Sequence, residues 1–412
     1  MATPQLIGHL DADCFYVSAE RVRFPHLQGV PAGVIGNQGA CVIAKSYELK
    51  ACGVTTGMPI WEAVPLCPDA VFLKRDFRWY EVLSRKMLSI LQSVSPTVEY
   101  YSIDEFFFDA SSLPQQMGCS LERAAVALQY RILEEVGVPV SLGISRSRTL
   151  AKLASDARKP FGCTVYLSPA EIEAFIEDLP VEELSGIGGR SRDKLAAIGI
   201  QTCGQFARAA RQQILRLLTV KGEGLWYELH GEAITPILTE RPAHQRISRG
   251  GSLGGATKDP AKLTAWVVRN VERLIEELDF YDVLTSRLVL WLEYKATAAW
   301  GAKVTLPEPT AAFSVLAMVA KALLQRAPAD QPLVNGMHLD AEGLTRRTVT
   351  QGRLFSVITP RPIDRLSQLK AEINRAHGRF AIRSGDTLPL DELYVDDAHS
   401  YDICDVHGKM CF

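Results

Sequence analysis

The feature that most limits the fold is a set of acids placed where apolar strands end. Leu6 to Leu10 is a short apolar run that leads directly into Asp11-Ala12-Asp13. Far along the chain, two β-rich arms, Val98 to Ile103 and Phe106 to Phe108, flank Asp104-Glu105. A two-residue Asp-Glu link is poor hairpin chemistry, because tight turns of that length favour Gly or Asn. A local rule broken at one point often marks a functional site. In a regular strand Asp104 and Glu105 would face opposite sides; a turn or a twisted strand end lets both approach one place. Strands mixed with helical patterns such as Arg78 to Val94 and Leu121 to Val136 predict an α+β core. Three carboxylates converging there can hold two Mg²⁺ ions about 3.5–4 Å apart. Spacing alone fits solvated turn acids at least as readily.

Beyond this core the pattern changes. Val138 to Ile144 reads as another strand, followed by a helix through Lys152 to Arg158. Ser168-Pro169-Ala170-Glu171 is a capping box, with proline at the first helical position, and it opens a run of short helices that lasts to about Gly231. A polar connector spans Thr235 to Gln245. Residues 246–344 then show strand, helix, strand, strand, helix, strand, with Arg287 to Glu293 the clearest strand. Residues 345–412 show little periodicity and predict a tail. A length of 412 residues leaves room for two to four domains.

Composition is ordinary for a soluble protein. The net charge of −2 neither supports nor excludes a nucleic-acid partner, because a basic groove coexists readily with an acidic exterior. Met1 to Gln5 lacks the basic and apolar regions of a signal peptide. The longest apolar stretch, Phe313 to Leu324, is interrupted by Lys321 and too short to span a bilayer. The nine cysteines form no CxxC pair, Cys404 and Cys411 being the only suggestive couple. These features predict a cytoplasmic protein with reduced thiols and no membrane association.

Three separated motifs carry a resemblance. His9-Leu10-Asp11-Ala12-Asp13-Cys14-Phe15-Tyr16, Tyr101-Ser102-Ile103-Asp104-Glu105, and Gly143-Ile144-Ser145 followed by Ala151 to Asp156 look like the signatures of Y-family translesion DNA polymerases. The resemblance runs from about residue 5 to 355 and keeps the family's order. It implies a multidomain right-hand polymerase. Residues 1–11 and 78–167 would form the palm, 12–77 small fingers, and 168–234 a helical thumb. Residues 235–245 would link these to an α/β little finger at 246–344, with 345–412 as the tail.

The resemblance also implies the site. Asp11 and Asp104 would bridge two Mg²⁺ ions, Glu105 would complete one metal site and the Ala12 carbonyl the other. Tyr16 matches the steric gate beneath the sugar, where a ribose 2′-hydroxyl would collide with the ring, and Phe15 would pack under the incoming nucleotide. Tyr47, Lys50 and Lys159 match triphosphate contacts. Lys50 stands where many relatives use arginine and Ala44 where threonine is frequent, so bidentate phosphate orientation is lost. Gly186-Ile187-Gly188-Gly189-Arg190 before an amphipathic helix resembles a helix–hairpin–helix, whose glycines let the backbone approach a DNA phosphate. Arg246 and Arg249, with Lys258, flank a glycine-rich strand that lies along DNA in the family. Gln351, Leu354 and Phe355 resemble a peptide that plugs into a sliding clamp.

The reaction implied is attack of a primer 3′-hydroxyl on the α-phosphate of a deoxynucleoside triphosphate, directed by primer-template DNA and of low fidelity. Two other readings stay open. A polymerase-like DNA-binding accessory without chemistry would be marked by loss of an acidic ligand, and all three acids are present. A nucleotide cyclase on a palm-like fold fits poorly with the glycine hairpin and the clamp-like peptide. The DinB and UmuC branches are not separated: Tyr47 is typical of the first, whereas Gly39 to Ala44 with Lys50 is closer to the second.

Overall fold

The computed structural model describes residues 5–36, 41–240, 242–328, 332–347, 365–377 and 380–390. They fall into two compact units, one ending at position 241 and the other starting at Pro242.

The first unit opens with β1 (Ile7–Ala12) and α1 (Phe15–Arg23). A small sheet follows, made of β2 (Ala32–Ile35), β3 (Val42–Lys45) and β4 (Val71–Lys74). Between its strands lie α2 (Tyr47–Ala51) and α3 (Ile60–Leu66). The chain then runs through α4 (Phe77–Val94), β5 (Val98–Tyr100), β6 (Glu105–Asp109), α5 (Leu113–Met117) and α6 (Leu121–Val136). Next come β7 (Val140–Ser145), α7 (Arg148–Asp156) and β8 (Cys163–Val165). Four helices close the unit: α8 (Pro169–Ile176), α9 (Gly189–Ala196), α10 (Cys203–Arg208) and α11 (Arg211–Leu229).

Its main sheet has the order β5-β6-β1-β7-β8, so β1 is central, antiparallel to β6 on one side and to β7 on the other. That placement explains why β1 is apolar without alternation, since Ile7, Gly8, His9 and Leu10 are all buried. Helix α6 is bounded as its sequence dictates. The Ser120 side chain accepts a hydrogen bond from Arg123 N, and Gly137 ends the helix at φ 81°. Helix α7 starts earlier than the expected Lys152, at Arg148, because the Ser147 side chain caps it by accepting from Leu150 N. It lies so close to β7 that a Cβ on Gly143 would stand 2.2 Å from the Ala151 carbonyl oxygen. The capping box at Ser168 and Glu171 forms as its spacing requires.

The second unit comprises β9 (Arg246–Thr257), α12 (Pro260–Phe280), β10 (Val283–Tyr294), β11 (Trp300–Thr310), α13 (Phe313–Gln325) and β12 (Val334–Arg346). The antiparallel sheet has the order β11-β10-β12-β9. Leu288, Leu290 and Leu292 on β10 pack with Val267, Val271 and Leu274 of α12 and Leu316 and Leu323 of α13 in one core.

The stretch expected to be a featureless tail contributes to this core. Helix α14 (Arg365–His377) and a 3₁₀ turn at Gly385–Leu390 belong to the second unit. Lys370 pairs with Glu272 of α12, Ser384 N donates to the same carboxylate, and Leu390 is buried in the core. Leu366, Leu369 and Ile373 stand at i, i+3 and i+7 of α14, a helical spacing, and the Lys370–Glu272 pair adds a charged anchor. Gln351, Leu354 and Phe355 lie outside the described residues. No helix among the described residues is long and apolar enough to cross a membrane. The seven cysteines described are free, and the thiols of Cys52 and Cys67 lie 3.0 Å apart, a proximity that spacing did not suggest. Cys404 and Cys411 are outside the described residues.

Candidate active site

The acids meet at one corner of the five-stranded sheet. In the β1–β6 register Asp11 stands opposite Glu105, and Ala12 N donates to the Asp104 carbonyl at 2.9 Å. The awkward Asp-Glu link is resolved by Ser102, which sequence reasoning left without a role. Its hydroxyl donates to the Asp104 carboxylate and accepts from Glu105 N at 3.0 Å. Tyr101 N and Ser102 N both donate to the Glu105 carbonyl. A serine side chain thus closes this turn, in which no residue takes a positive φ.

Burial sets the electrostatics. It raises the Asp11 carboxyl to about 7; Lys159 opposes that shift, whereas Glu105 and Asp104 add to it. Asp104 is also pushed up by burial, against the stabilising Ser102 hydroxyl. Two lysines answer the negative charge. Lys152 of α7 pairs with Glu105, and Lys159 lies 2.8 Å from Asp11 and 2.7 Å from Asp156. Burial works against the Lys159 ammonium, but Asp11 and Asp156 outweigh it and hold its pKa above the usual range. Beneath them His9 is fully buried, its Nδ1 2.8 Å from Ser155 Oγ and its Nε2 3.9 Å from Glu105. Burial, then Lys152, Lys159 and Arg148, keep the His9 imidazole neutral.

The donor set of three carboxylates and a main-chain carbonyl suits a hard divalent cation. The raised pKa values of Asp11 and Asp104 follow from burial that the nearby positive charge does not offset. As they stand, Asp11 and Glu105 are turned to the lysines and Asp104 to Ser102, and no three ligating side chains among the described residues cluster closely enough to hold an ion.

Other expected residues separate into those at this corner and those elsewhere. Tyr47, the first residue of α2, donates from its hydroxyl to Asp13 at 3.3 Å. Lys50 is exposed on the last turn of α2. Tyr16 is half-buried, stacked on Tyr80 with centroids 4.7 Å apart and edge-on to Phe77. Phe15 is buried against Tyr80 and is a core residue of α1, so it presents no free ring face. The glycine hairpin is exposed from Gly188 to Arg190, with Ile187 buried beneath it and Gly186 at φ 102°. A cavity of about 120 Å³ reaches from Lys152, Tyr101 and Phe107 to Ser185 beside that hairpin.

In the second unit Arg246 is exposed and 3.4 Å from Asp340. Arg249 is different: it pairs with Glu277 of α12 and is only 11% exposed, so it is not a free phosphate contact. Lys258 is exposed beyond the strand.

The impB/mucB/samB family model matches residues 10–156, and the family's C-terminal domain model matches residues 244–354. DNA polymerase IV 1 of Bacillus subtilis (strain 168) is 30% identical over 396 residues, covering 94% of each chain. The chain belongs to the Y family of DNA polymerases. DNA polymerase IV 2 of Mesorhizobium japonicum is 32% identical over 333 residues, spanning 81% of this chain and 79% of that protein. Among solved structures, the Y-family DNA polymerase chimera Dbh-Dpo4(243-245)-Dbh superimposes with a TM-score of 0.71 at 20% identity, over 83% of this chain and 99% of the chimera. The Insertion ternary complex of Dbh DNA polymerase gives a TM-score of 0.55 at 21% identity, with the same coverage. In Y-family terms the first unit holds palm, fingers and thumb, and the second is the separate C-terminal α/β domain.

Proposed function

We propose that this chain is a template-directed DNA polymerase that extends a primer 3′-end with deoxynucleotides and serves low-fidelity translesion synthesis. One observation carries the reading: Asp11, Asp104 and Glu105 meet at a single corner, with Lys159 and Tyr47 beside them. The names of the relatives, DNA polymerase IV, support it. Asp11, Asp104, Glu105 and the Ala12 carbonyl would hold two Mg²⁺ ions. When bound, such ions lower the pKa of the attacking hydroxyl and neutralise the leaving phosphate.

The chain's own residues supply placement, which is worth several kcal/mol by itself. Lys152 and Lys159 act as resident counter-charges. On loading, Lys159 exchanges Asp11 for the triphosphate, where Tyr47 and Lys50 provide further donors. Tyr16 cannot yield to a 2′-hydroxyl, because Tyr80 and Phe77 fix its ring from two sides. The glycine hairpin and Arg246 would grip DNA backbone without reading sequence. A sliding clamp is proposed as a further partner through Gln351, Leu354 and Phe355.

The test is primer extension by the purified chain with Mg²⁺ on intact and abasic templates, beside Asp104→Asn. Extension on both templates is expected, with a loss of roughly a thousandfold or more in the variant. No extension by the intact protein overturns the proposal; full activity in Asp104→Asn overturns the metal site.

A further inference from the structure

No step above uses Asp13, yet its carboxylate is the most engaged acid of the first unit. It lies just past β1 and is 2% exposed. The Ser141 hydroxyl donates to it at 2.9 Å, Phe161 N at 2.7 Å and the Tyr47 hydroxyl at 3.3 Å. These donors come from three separate segments: β7, the loop between α7 and β8 that also carries Lys159, and the start of α2.

The loop depends on this grip. Phe161 sits at φ 53°, a left-handed backbone that a bulky side chain disfavours. Its neighbour Gly162 is wound so tightly that a Cβ would stand 2.3 Å from the Arg158 carbonyl oxygen. Gly162 N donates to Ser141 Oγ at 3.3 Å, so serine and aspartate hold successive amides of the loop. The three bonds to Asp13 are unequal. Those from Phe161 and Ser141 are short, and that from Tyr47 is the longest. Tyr47 can turn to a phosphate oxygen while the loop stays held.

We propose that Asp13 is a positioning residue for the triphosphate. One carboxylate ties Tyr47 on the fingers side to the Lys159 loop on the palm side and sets the distance between the two contacts. This rests on the polymerase reading and deepens it. A carboxylate accepts at both oxygens, whereas asparagine offers one acceptor oxygen and an NH₂ donor. With Phe161 N on its one acceptor oxygen, Asp13→Asn turns its NH₂ toward Ser141 and Tyr47, whose hydroxyls can then only accept from it, and the charge that strengthens all three bonds is lost.

The experiment measures equilibrium binding of dCTP opposite a template guanine on a dideoxy-terminated primer, alongside single-nucleotide incorporation. Asp13→Asn is expected to weaken dCTP by about tenfold or more in both Kd and KM, with kcat changed much less. The double variant with Tyr47→Phe should lose less than the two single losses combined, because part of each loss acts through the same contact. Unchanged dCTP affinity in the active fraction, or strictly additive losses, overturns the role. Should Asp13→Asn not fold, the cycle of Ser141→Ala and Tyr47→Phe decides: less-than-additive losses support it and additive losses overturn it. If the unsubstituted chain extends no primer, the polymerase reading fails and this falls with it. Extension by the unsubstituted chain with normal affinity in Asp13→Asn removes only the role of Asp13.

Discussion

The palm sheet and the sheet of the C-terminal unit both carry ionisable side chains on strands, and they treat those charges in opposite ways. Where β1 ends and β6 begins, the acids Asp11, Asp104 and Glu105 outnumber the two lysines that face them, Lys152 and Lys159, and burial drives Asp11 and Asp104 toward protonation. On β9, Arg249 meets a matched partner, Glu277, and the pair disappears beneath α12. An unbalanced buried charge invites a ligand, and a balanced one does not. The difference lies in what the neighbouring helix presents: α7 brings a cation to a cluster of acids, whereas α12 brings Glu277 to Arg249 from a helix that also buries Arg269, Glu272 and Arg273.

Breaking the balanced pair should give the larger effect on stability. Glu277→Ala leaves Arg249 buried without its carboxylate, and unfolding of the C-terminal unit should become easier by roughly 3–5 kcal/mol. Replacing both partners, as in Arg249→Met with Glu277→Leu, should recover most of that loss. Chemical denaturation followed by tryptophan fluorescence measures both. A single variant as stable as the parent would mean that the pair is not buried in solution.

The unbalanced site predicts the opposite sign. In the presence of a chelator, the folded Asp11 carboxyl titrates near 7 against 3.8 for the ordinary group. The folded state therefore binds the extra proton. Its contribution to stability is full below the ordinary value and is lost as pH rises through about 7. Asp11→Asn should escape that loss and melt a few degrees above the parent at pH 8, the gap narrowing toward pH 4.5. Differential scanning calorimetry across that range checks it, and a constant offset at every pH would refute it. The smallest effect belongs to Arg246. Its exposed side chain makes Arg246→Ala neutral for stability to within about 0.5 kcal/mol, while the salt dependence of DNA binding should flatten by about one unit of slope. An unchanged slope would take Arg246 out of the DNA contact.

Which parts were legible follows from the same contrast. Asp11, Asp104 and Glu105 stood out because apolar strands end on them, and strand order needed only the long interval between them. Arg249 is expected at DNA from its motif alone, whereas the structure pairs it with Glu277. Ile247 and Arg249 share one face of β9, so the buried isoleucine marks the arginine's side as inward. Phe15 was assigned to the nucleotide from its motif neighbours alone, and its burial against Tyr80 depends on α4, which no local pattern reveals. Ser102 and Asp13 act through contacts made by turns and distant loops. Their residue types were visible, but their partners were not. Helix α14 is legible in part: Leu366, Leu369 and Ile373 keep a helical spacing, whereas the contacts of Lys370 and Ser384 with Glu272 leave no mark in the sequence.

That last attachment has a consequence for the order in which the protein is made. A chain leaving the ribosome folds from its N-terminal end, and every strand and helix of the first unit's core has emerged by position 241. The C-terminal unit has no such early finish. Its sheet is complete once β12 has emerged, yet Glu272 waits for Lys370 and Ser384, and the core waits for Leu390. The unit proposed to hold the chemistry can mature early in synthesis, while the other is sealed only by residues that follow its last strand by some forty positions.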